Sequence, residues 1–442
     1  MATANAPRRA SRLLERITCP HCWEQFSPER TLWISEHIDL LGDQRLGPEK
    51  QQRFLPTRFT VDGEALDAKG FPCRHLACPN CHLGIPQAML EMEPLFLSIF
   101  GAPASGKSYF LAAMTWELRK LLGIQFGISF SDADPVANQS LTDYEESLFV
   151  NSKADSLIPL ASLIRKTEEQ GDLYDTVSFG SQTVSYPRPF LFSMQPQAGH
   201  PHAAKADQLA RVVCLYDNAG ESFQPGRDTA STPVTRHLAR SRTLFYVFDP
   251  TQDNRFRQHC QGEKAVAGDV KMARQEPILQ EAAARIRRYA GLRQSEKHNR
   301  PLVVILTKCD AWSHLLGEDP PPEPWRQISR GVVGEQQQDF VLHALDTSIV
   351  ERRSRKAREL MLRLCPEIVS AAESFAKEVI YVPVSAVGWN AEVDTASGLL
   401  AIRPAETAPH WVAVPFLYAL CRWSTGLIPS IVRKPERKGD AP

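Results

Sequence analysis

No apolar run in this 442-residue chain is long enough to cross a bilayer, and its first residues lack the apolar core of a secretory leader. Neither sign of charge is in excess, with 51 Lys and Arg against 51 Asp and Glu, which argues against a broad nucleic-acid surface. Disulfide spacing is absent too. Of ten cysteines, five precede residue 101 and the others are scattered singly, a distribution unlike a disulfide framework. Membrane, secreted and broadly nucleic-acid-binding classes recede, and a cytoplasmic globular protein is the expectation. Arg8, Arg9, Arg12 and Arg16 then decorate an N-terminal segment.

What is present is dense in motifs. Residues 101–108 read GAPASGKS, a complete GxxxxGKS loop. The apolar run 94–100 feeds it and the helix-forming run 109–114 leaves it, the context the motif needs. Such a loop turns backbone N–H groups inward, and the helix N-terminus adds its dipole, so the two together cradle an anion. Lys107 is placed to reach the outer phosphates of a nucleotide, and Ser108 to put a hydroxyl on Mg²⁺.

Three further apolar runs end in polar tips. Residues 212–216 lead to Asp217-Asn218-Ala219-Gly220, where Asp217 can hold Mg²⁺ through a water and the Gly220 amide can meet a γ-phosphate. Residues 301–306 lead to Thr307-Lys308-Cys309-Asp310, and residues 379–384 to Ser385-Ala386. In this order, the four tips resemble the translation-factor-related (TRAFAC) class of P-loop GTPases. That resemblance implies a doubly wound α/β fold, GTP as substrate and Mg²⁺ as cofactor. The implied nucleotide-binding set is Gly101, Ala104, Ser105, Gly106, Lys107, Ser108, Tyr109, Gly220, Thr307, Lys308, Asp310, Ser385 and Ala386, with Lys107 and Glu221 as catalytic residues. Two positions depart from the pattern. Thr307 stands where Asn is usual, as in Rho-type GTPases, and Glu221 stands where Ras-like proteins carry a water-orienting Gln. Thr183 is the candidate switch threonine.

Before the loop lie Cys19-Pro20-His21-Cys22 and Cys78-Pro79-Asn80-Cys81. Each pair places two thiolates on one tight turn, and two such turns complete a tetrahedral Zn²⁺ site of the structural kind. A redox CxxC is the alternative. Cys73, His75 and His82 are spare ligands or ordinary loop residues. Trp23, Phe26 and Trp33 can stack bases, but a small core is the expected use for them. Residues 58–66 read as a short hairpin.

The organisation expected is a zinc-ribbon domain over 1–92, then a GTPase domain over 93–432 with helical inserts at about 124–188 and 335–377. A disordered tail covers 433–442. Residues 157–166 read as a short helix or docking segment, 243–248 as a further strand, 272–289 as an amphipathic helix, 317–324 as a stiff proline-rich loop, and 416–423 as the closing helix. Arg352, Arg353, Arg355, Lys356 and Arg358 lie in the second insert, either as a solvated helix face or with one of them as an arginine finger. A ribbon joined to such a core resembles the bacterial double-GTPase families of predicted conflict and anti-phage systems. The likeness implies a GTP-hydrolysing switch with a protein partner, an effector or second GTPase. A nucleotide-binding scaffold with little turnover and a nucleic-acid-binding ribbon stand as alternatives.

Overall fold

The computed structural model describes residues 13–153, 155–164, 174–218, 223, 236–261, 274–317, 322–333, 338–389, 391–395, 398–424 and 426–431. Seven strands form its main sheet: β1 (Glu93–Gly101), β2 (Ile128–Asp132), β3 (Phe190–Pro196), β4 (Arg211–Asp217), β5 (Thr243–Phe248), β6 (Leu302–Leu306) and β7 (Val379–Pro383). Their order is β2-β3-β4-β1-β5-β6-β7. Strands β4, β1, β5, β6 and β7 run parallel, while β3 is antiparallel to both β4 and β2. The molecule is therefore a mixed α/β fold built on a parallel-rich sheet.

Parallel strands buried on both faces read as continuous apolar runs, and β5 (TLFYVF) and β6 (LVVIL) are buried along their whole length. Alternation sends Leu97, Ile99, Phe245, Val247, Val303 and Ile305 to one core. There they meet the helices α1 (Lys107–Phe126), α2 (Gln139–Phe149) and, late in the chain, Val414–Trp423. Leu244, Tyr246, Phe248, Leu302, Val304 and Leu306 face the other side. That side is covered by α3 (Glu276–Ala290), α4 (Thr347–Leu364) and α5 (Pro366–Phe375).

On that second side β3 and β4 are covered differently. Leu191, Val212, Cys214 and Tyr216 form a third core with Ile17, Trp23, Phe26, Leu83, Ile85 and Met89 of the cysteine-rich segment. A hairpin, Tyr174–Phe179 paired with Gln182–Pro187, adds Val177 and Tyr186. The N-terminal segment thus serves as part of a layer. Trp23 and Phe26 are buried in it and Trp33 packs against it, so these aromatics are core residues, as expected. Cys214 behaves as a buried hydrophobe, its thiol pushed up by burial.

The inserts are not simply helical. Residues 128–187 hold β2, α2 and the hairpin beside a short helix, Leu160–Leu163. The 335–377 segment begins as strand Gln338–Asp346, paired antiparallel with Trp325–Val333, before α4 and α5. Local helical preference there yields to pairing between these two strands. Thr183 sits exposed at the 174–187 hairpin. One polar cluster clamps the first insert: Arg119 on α1 makes a bidentate contact with Asp132 at 2.8 Å, and its Nε lies 3.1 Å from Glu145 on α2. Burial pulls Asp132 up, yet Arg119 and Asn138 outweigh it and hold the carboxyl below its ordinary value. The first residues of the 272–289 helix, part of the proline-rich loop and the 433–442 tail lie outside the described residues.

Gly101 ends β1 against β5, and a Cβ there would stand 2.3 Å from the Val247 carbonyl oxygen. Backbone cannot swing aside as a side-chain tip can. Gly101→Ala is expected to cost about 1–3 kcal/mol, as overpacking does, read as a lower urea midpoint. An unchanged midpoint would mean that β1 and β5 are less closely paired than this.

Candidate functional site

Two sites emerge. The first is a cluster of four buried sulfurs. Cys19 Sγ lies 3.7 Å from Cys81 Sγ, and Cys22 Sγ lies 3.7 Å from Cys78 Sγ. All four lie within 4.8 Å of one another. A disulfide would bring two sulfurs to about 2 Å, whereas four thiolates about 2.3 Å from one Zn²⁺ at tetrahedral angles stand roughly 3.8 Å apart. The spacing and the all-sulfur donor set fit a closed structural zinc site. Both 3.7 Å contacts run between the two knuckles, so the four sulfurs converge on one point.

Each knuckle closes in the same way. Trp23 N donates to Cys19 O at 3.1 Å and His82 N to Cys78 O at 2.9 Å, and the residue after each second cysteine is left-handed, Trp23 at φ 61° and His82 at φ 62°. Backbone N–H groups of His21 and Asn80 point at Cys19 and Cys78 sulfur, both at 3.4 Å. The spare ligands find other partners. Cys73 is buried beside the Phe71 carbonyl, His75 is near Glu36, and His82 Nδ1 lies 2.9 Å from Asp43.

The second site lies along the C-terminal edge of the parallel strands, where doubly wound sheets place their ligand crevice. The 101–106 loop leaves β1 with Ala104 at φ 57° and Gly106 at φ 88°, and α1 begins at Lys107. Lys107 is buried, and its ammonium donates to the carbonyls of Ala102 at 2.7 Å and Gly101 at 3.1 Å. Thr307, at the tip of β6, donates to the Ser105 carbonyl at 2.9 Å. At the tip of β7 the Ser385 hydroxyl donates to the Asp310 carboxylate, and the Gly388 amide donates to Ser385 Oγ at 2.9 Å. Loop, β6 tip and β7 tip are thereby joined, although their residues are far apart in sequence.

Among the described residues, Ser105 Oγ, Asp217 Oδ1 and Gln252 Oε1 are buried beside this loop with no hydrogen-bond partner. Burial raises the Asp217 carboxyl above its ordinary value, and the charge of Lys107 opposes that shift. An orphaned carboxylate oxygen next to a lysine and a helix N-terminus suits a hydrated cation and an anion together. Ser108 is half-buried on the first turn of α1. Tyr109 turns away, its hydroxyl donating to the Leu160 carbonyl of the first insert, so its side chain tethers that insert. Ala386 follows Ser385 at the β7 tip, half-buried against the helical core. Gly220 and Glu221 lie outside the described residues. Of the five basic candidates on α4, Arg353 is buried and Arg358 is held by Glu373, leaving Arg352 and Arg355 exposed and Lys356 half-buried.

Two residues of this edge carry no sequence motif. Asp249, at the tip of β5, is fully buried and lies 2.6 Å from the Lys308 ammonium, while Lys308 itself is left-handed at φ 55°. Gln252 donates its amide to the Pro103 carbonyl at 3.3 Å. The signal for Asp249 was its place: a polar residue ending an apolar strand, as at the other four tips.

No protein-family model matches the chain. A curated protein of Mycolicibacterium smegmatis, described as "Putative ESX-1 scaffolding and assembly protein SaeC", is 28% identical over 249 residues. The matched stretch is 52% of this chain and 57% of that protein, so a large part of each lies outside the similarity. Among the described residues no helix is long and apolar enough to cross a membrane.

If Cys19, Cys22, Cys78 and Cys81 share one ion, elemental analysis will find about one zinc per chain. Cys78→Ser should lose it, while Cys73→Ser should keep it. Stoichiometric zinc surviving in Cys78→Ser would overturn this ligand set.

Proposed function

We propose that this chain is a guanine-nucleotide switch of the P-loop GTPase kind, hydrolysing GTP with Mg²⁺, and that a zinc-closed ribbon is docked on its sheet. The observation that carries the reading is the joining of three separated motifs at one strand edge, through Thr307 to Ser105 and through Ser385 to Asp310. The strand order, with an antiparallel pair beside five parallel strands, supports the same reading.

In this reading each group has a task that its surroundings allow. Lys107 supplies a fixed positive charge beside the loop, and the loop's left-handed Ala104 and Gly106 turn backbone toward the bound phosphates. Ser108 and Asp217 are hard oxygen donors of the kind Mg²⁺ takes, and the unpartnered Asp217 oxygen is ready for a hydrated ion. Mg²⁺, when bound, neutralises charge on the phosphate oxygens. Ser385 orients the Asp310 carboxylate, whose two oxygens match the paired N1–H and exocyclic amine of guanine. Adenine offers no such pair of donors. Lys308, whose ammonium is held by Asp249, would lend its alkyl stem to the loop and the base plane.

A second reading, a nucleotide-binding scaffold with little turnover, is favoured by the relative's description as a scaffolding and assembly protein. Both readings call for a protein partner, an effector or a second GTPase. The role in bacterial defence implied by the family resemblance gains no support from that relative, and assembly of a protein complex is the process we favour. Single-turnover hydrolysis of GTP separates the two readings.

Lys107→Ala should weaken GTP binding tenfold or more, because a charge-assisted contact of about 1.5–3 kcal/mol is lost, with the fold retained by circular dichroism. Asp310→Asn should lose guanine and gain xanthine, whose exchanged groups match the amide. Competition of GTP, ATP and xanthosine triphosphate against a fluorescent guanine nucleotide reads both. Equal competition by ATP in the unmutated protein would sink the guanine assignment.

A further inference from the structure

The first zinc knuckle and the strand that carries Asp217 are joined by a path of four residues, hydrogen-bonded at either end and ring-stacked in the middle. Tyr216, next to Asp217, is fully buried, and its hydroxyl accepts from Trp23 Nε1 at 3.0 Å and donates to the Pro20 carbonyl. Pro20 follows the ligand Cys19 and Trp23 follows the ligand Cys22. Both ends of the phenol's hydrogen bonding are therefore set by residues adjacent to metal ligands.

Trp23 holds a left-handed backbone at φ 61°, a conformation a bulky residue adopts only where its surroundings impose it. Here closure of the knuckle imposes it, through Trp23 N to Cys19 O and Cys19 N to Glu24 O at 3.0 Å. An open knuckle releases that constraint, and with it the direction of the indole.

From Tyr216 the path continues inward. Its ring stacks on the His237 ring with centroids 4.5 Å apart and planes at 15°. His237 is fully buried, with Nε2 2.8 Å from Asn218 Oδ1 and Nδ1 2.6 Å from Ser98 Oγ. Asn218 donates its amide to the Ile99 carbonyl at 2.9 Å, which fixes its Oδ1 as the acceptor, so His237 Nε2 carries a proton. Asn218 is the residue after Asp217, and Ile99 lies two residues before Gly101. Knuckle, β4 tip and β1 tip are thus tied by contacts that leave little independent freedom.

We propose that Trp23, Tyr216, His237 and Asn218 couple the zinc knuckle to the nucleotide site, so that metal closure positions the backbone leaving Asp217 and bound nucleotide in turn holds the knuckle closed. The proposal rests on the nucleotide-site reading above. Its content is a linkage: whatever factor zinc contributes to nucleotide affinity, nucleotide contributes to zinc affinity. Tyr216 and His237 are positioning residues in this scheme, since neither is assigned a contact with the nucleotide.

The test uses the full chain with zinc bound. Zinc affinity is measured at equilibrium by competition with a colorimetric chelator, with and without saturating GDP and Mg²⁺, and GDP affinity is measured separately by calorimetry before and after zinc removal. Nucleotide should tighten zinc binding about fivefold or more, and zinc removal should weaken GDP by the same factor. Tyr216→Phe keeps the ring and removes the hydroxyl, and should bring both ratios close to one while GDP still binds. Trp23→Phe, which removes the indole donor and trims the ring in the same contact, serves if Tyr216→Phe does not fold. GDP binding with both ratios at one in the unmutated protein would overturn the coupling alone. Failure of GDP to bind at all would overturn the site reading and the coupling with it.

Discussion

A parallel sheet has to be covered on both faces, and here part of one face is covered by a cysteine-closed knuckle. Trp23 and Tyr216 make that joint. The indole donates to the phenol, and Trp23 also meets Tyr186 edge-on at 6.0 Å and His237 at 6.0 Å. Aromatic contacts of this kind contribute about 0.5–1.5 kcal/mol each beyond their area, comparable with the roughly 1–2 kcal/mol that a left-handed non-glycine residue costs. Closure of the knuckle therefore matters: without it, Trp23 would have to meet that cost from its packing alone.

The opposite dependence also holds. The described part of the N-terminal segment is made of two- to five-residue strands, turns and helices of three or four residues, too little regular structure to bury much by itself. Four sulfurs at one point and one apolar sheet face at another give it two anchors. Arrangement at the strand edge has a similar economy. Side chains at β5, β6 and β7 tips are held by one another, Asp249 with Lys308 and Asp310 with Ser385, while Thr307 holds the loop backbone. A crevice held by such ties needs little rearrangement to receive a ligand, which is the physical meaning of preorganisation.

Much of this was legible in residue order. The apolar runs at 94–100, 212–216, 243–248, 301–306 and 379–384 are strands because nothing in them breaks a buried ladder, and each strand stops within one residue of the end of its run. CPxC twice over is a local chemical pattern, and the four sulfurs meet. Other parts were illegible for definite reasons. The run 338–346 became a strand through pairing with 325–333, and the first insert became an edge strand, a helix and a hairpin. Asp249 and His237 lacked a motif because their partners, Lys308 and Asn218, lie elsewhere in the chain.

The sequence by itself determined the strands, the glycine loop and the two cysteine pairs, because apolar periodicity, left-handed turns and i, i+3 thiols are properties of short windows. Only the tertiary structure decided that the cysteine-rich segment caps β3 and β4, that Tyr216 joins it to the strand bearing Asp217, and that loop and strand tips share hydrogen bonds. Those are contacts between residues 62 to 202 positions apart (Cys19 to Cys81, Trp23 to Tyr216, Thr307 to Ser105). They form because burying one apolar face leaves few places for the next element to go, and no single window holds both faces.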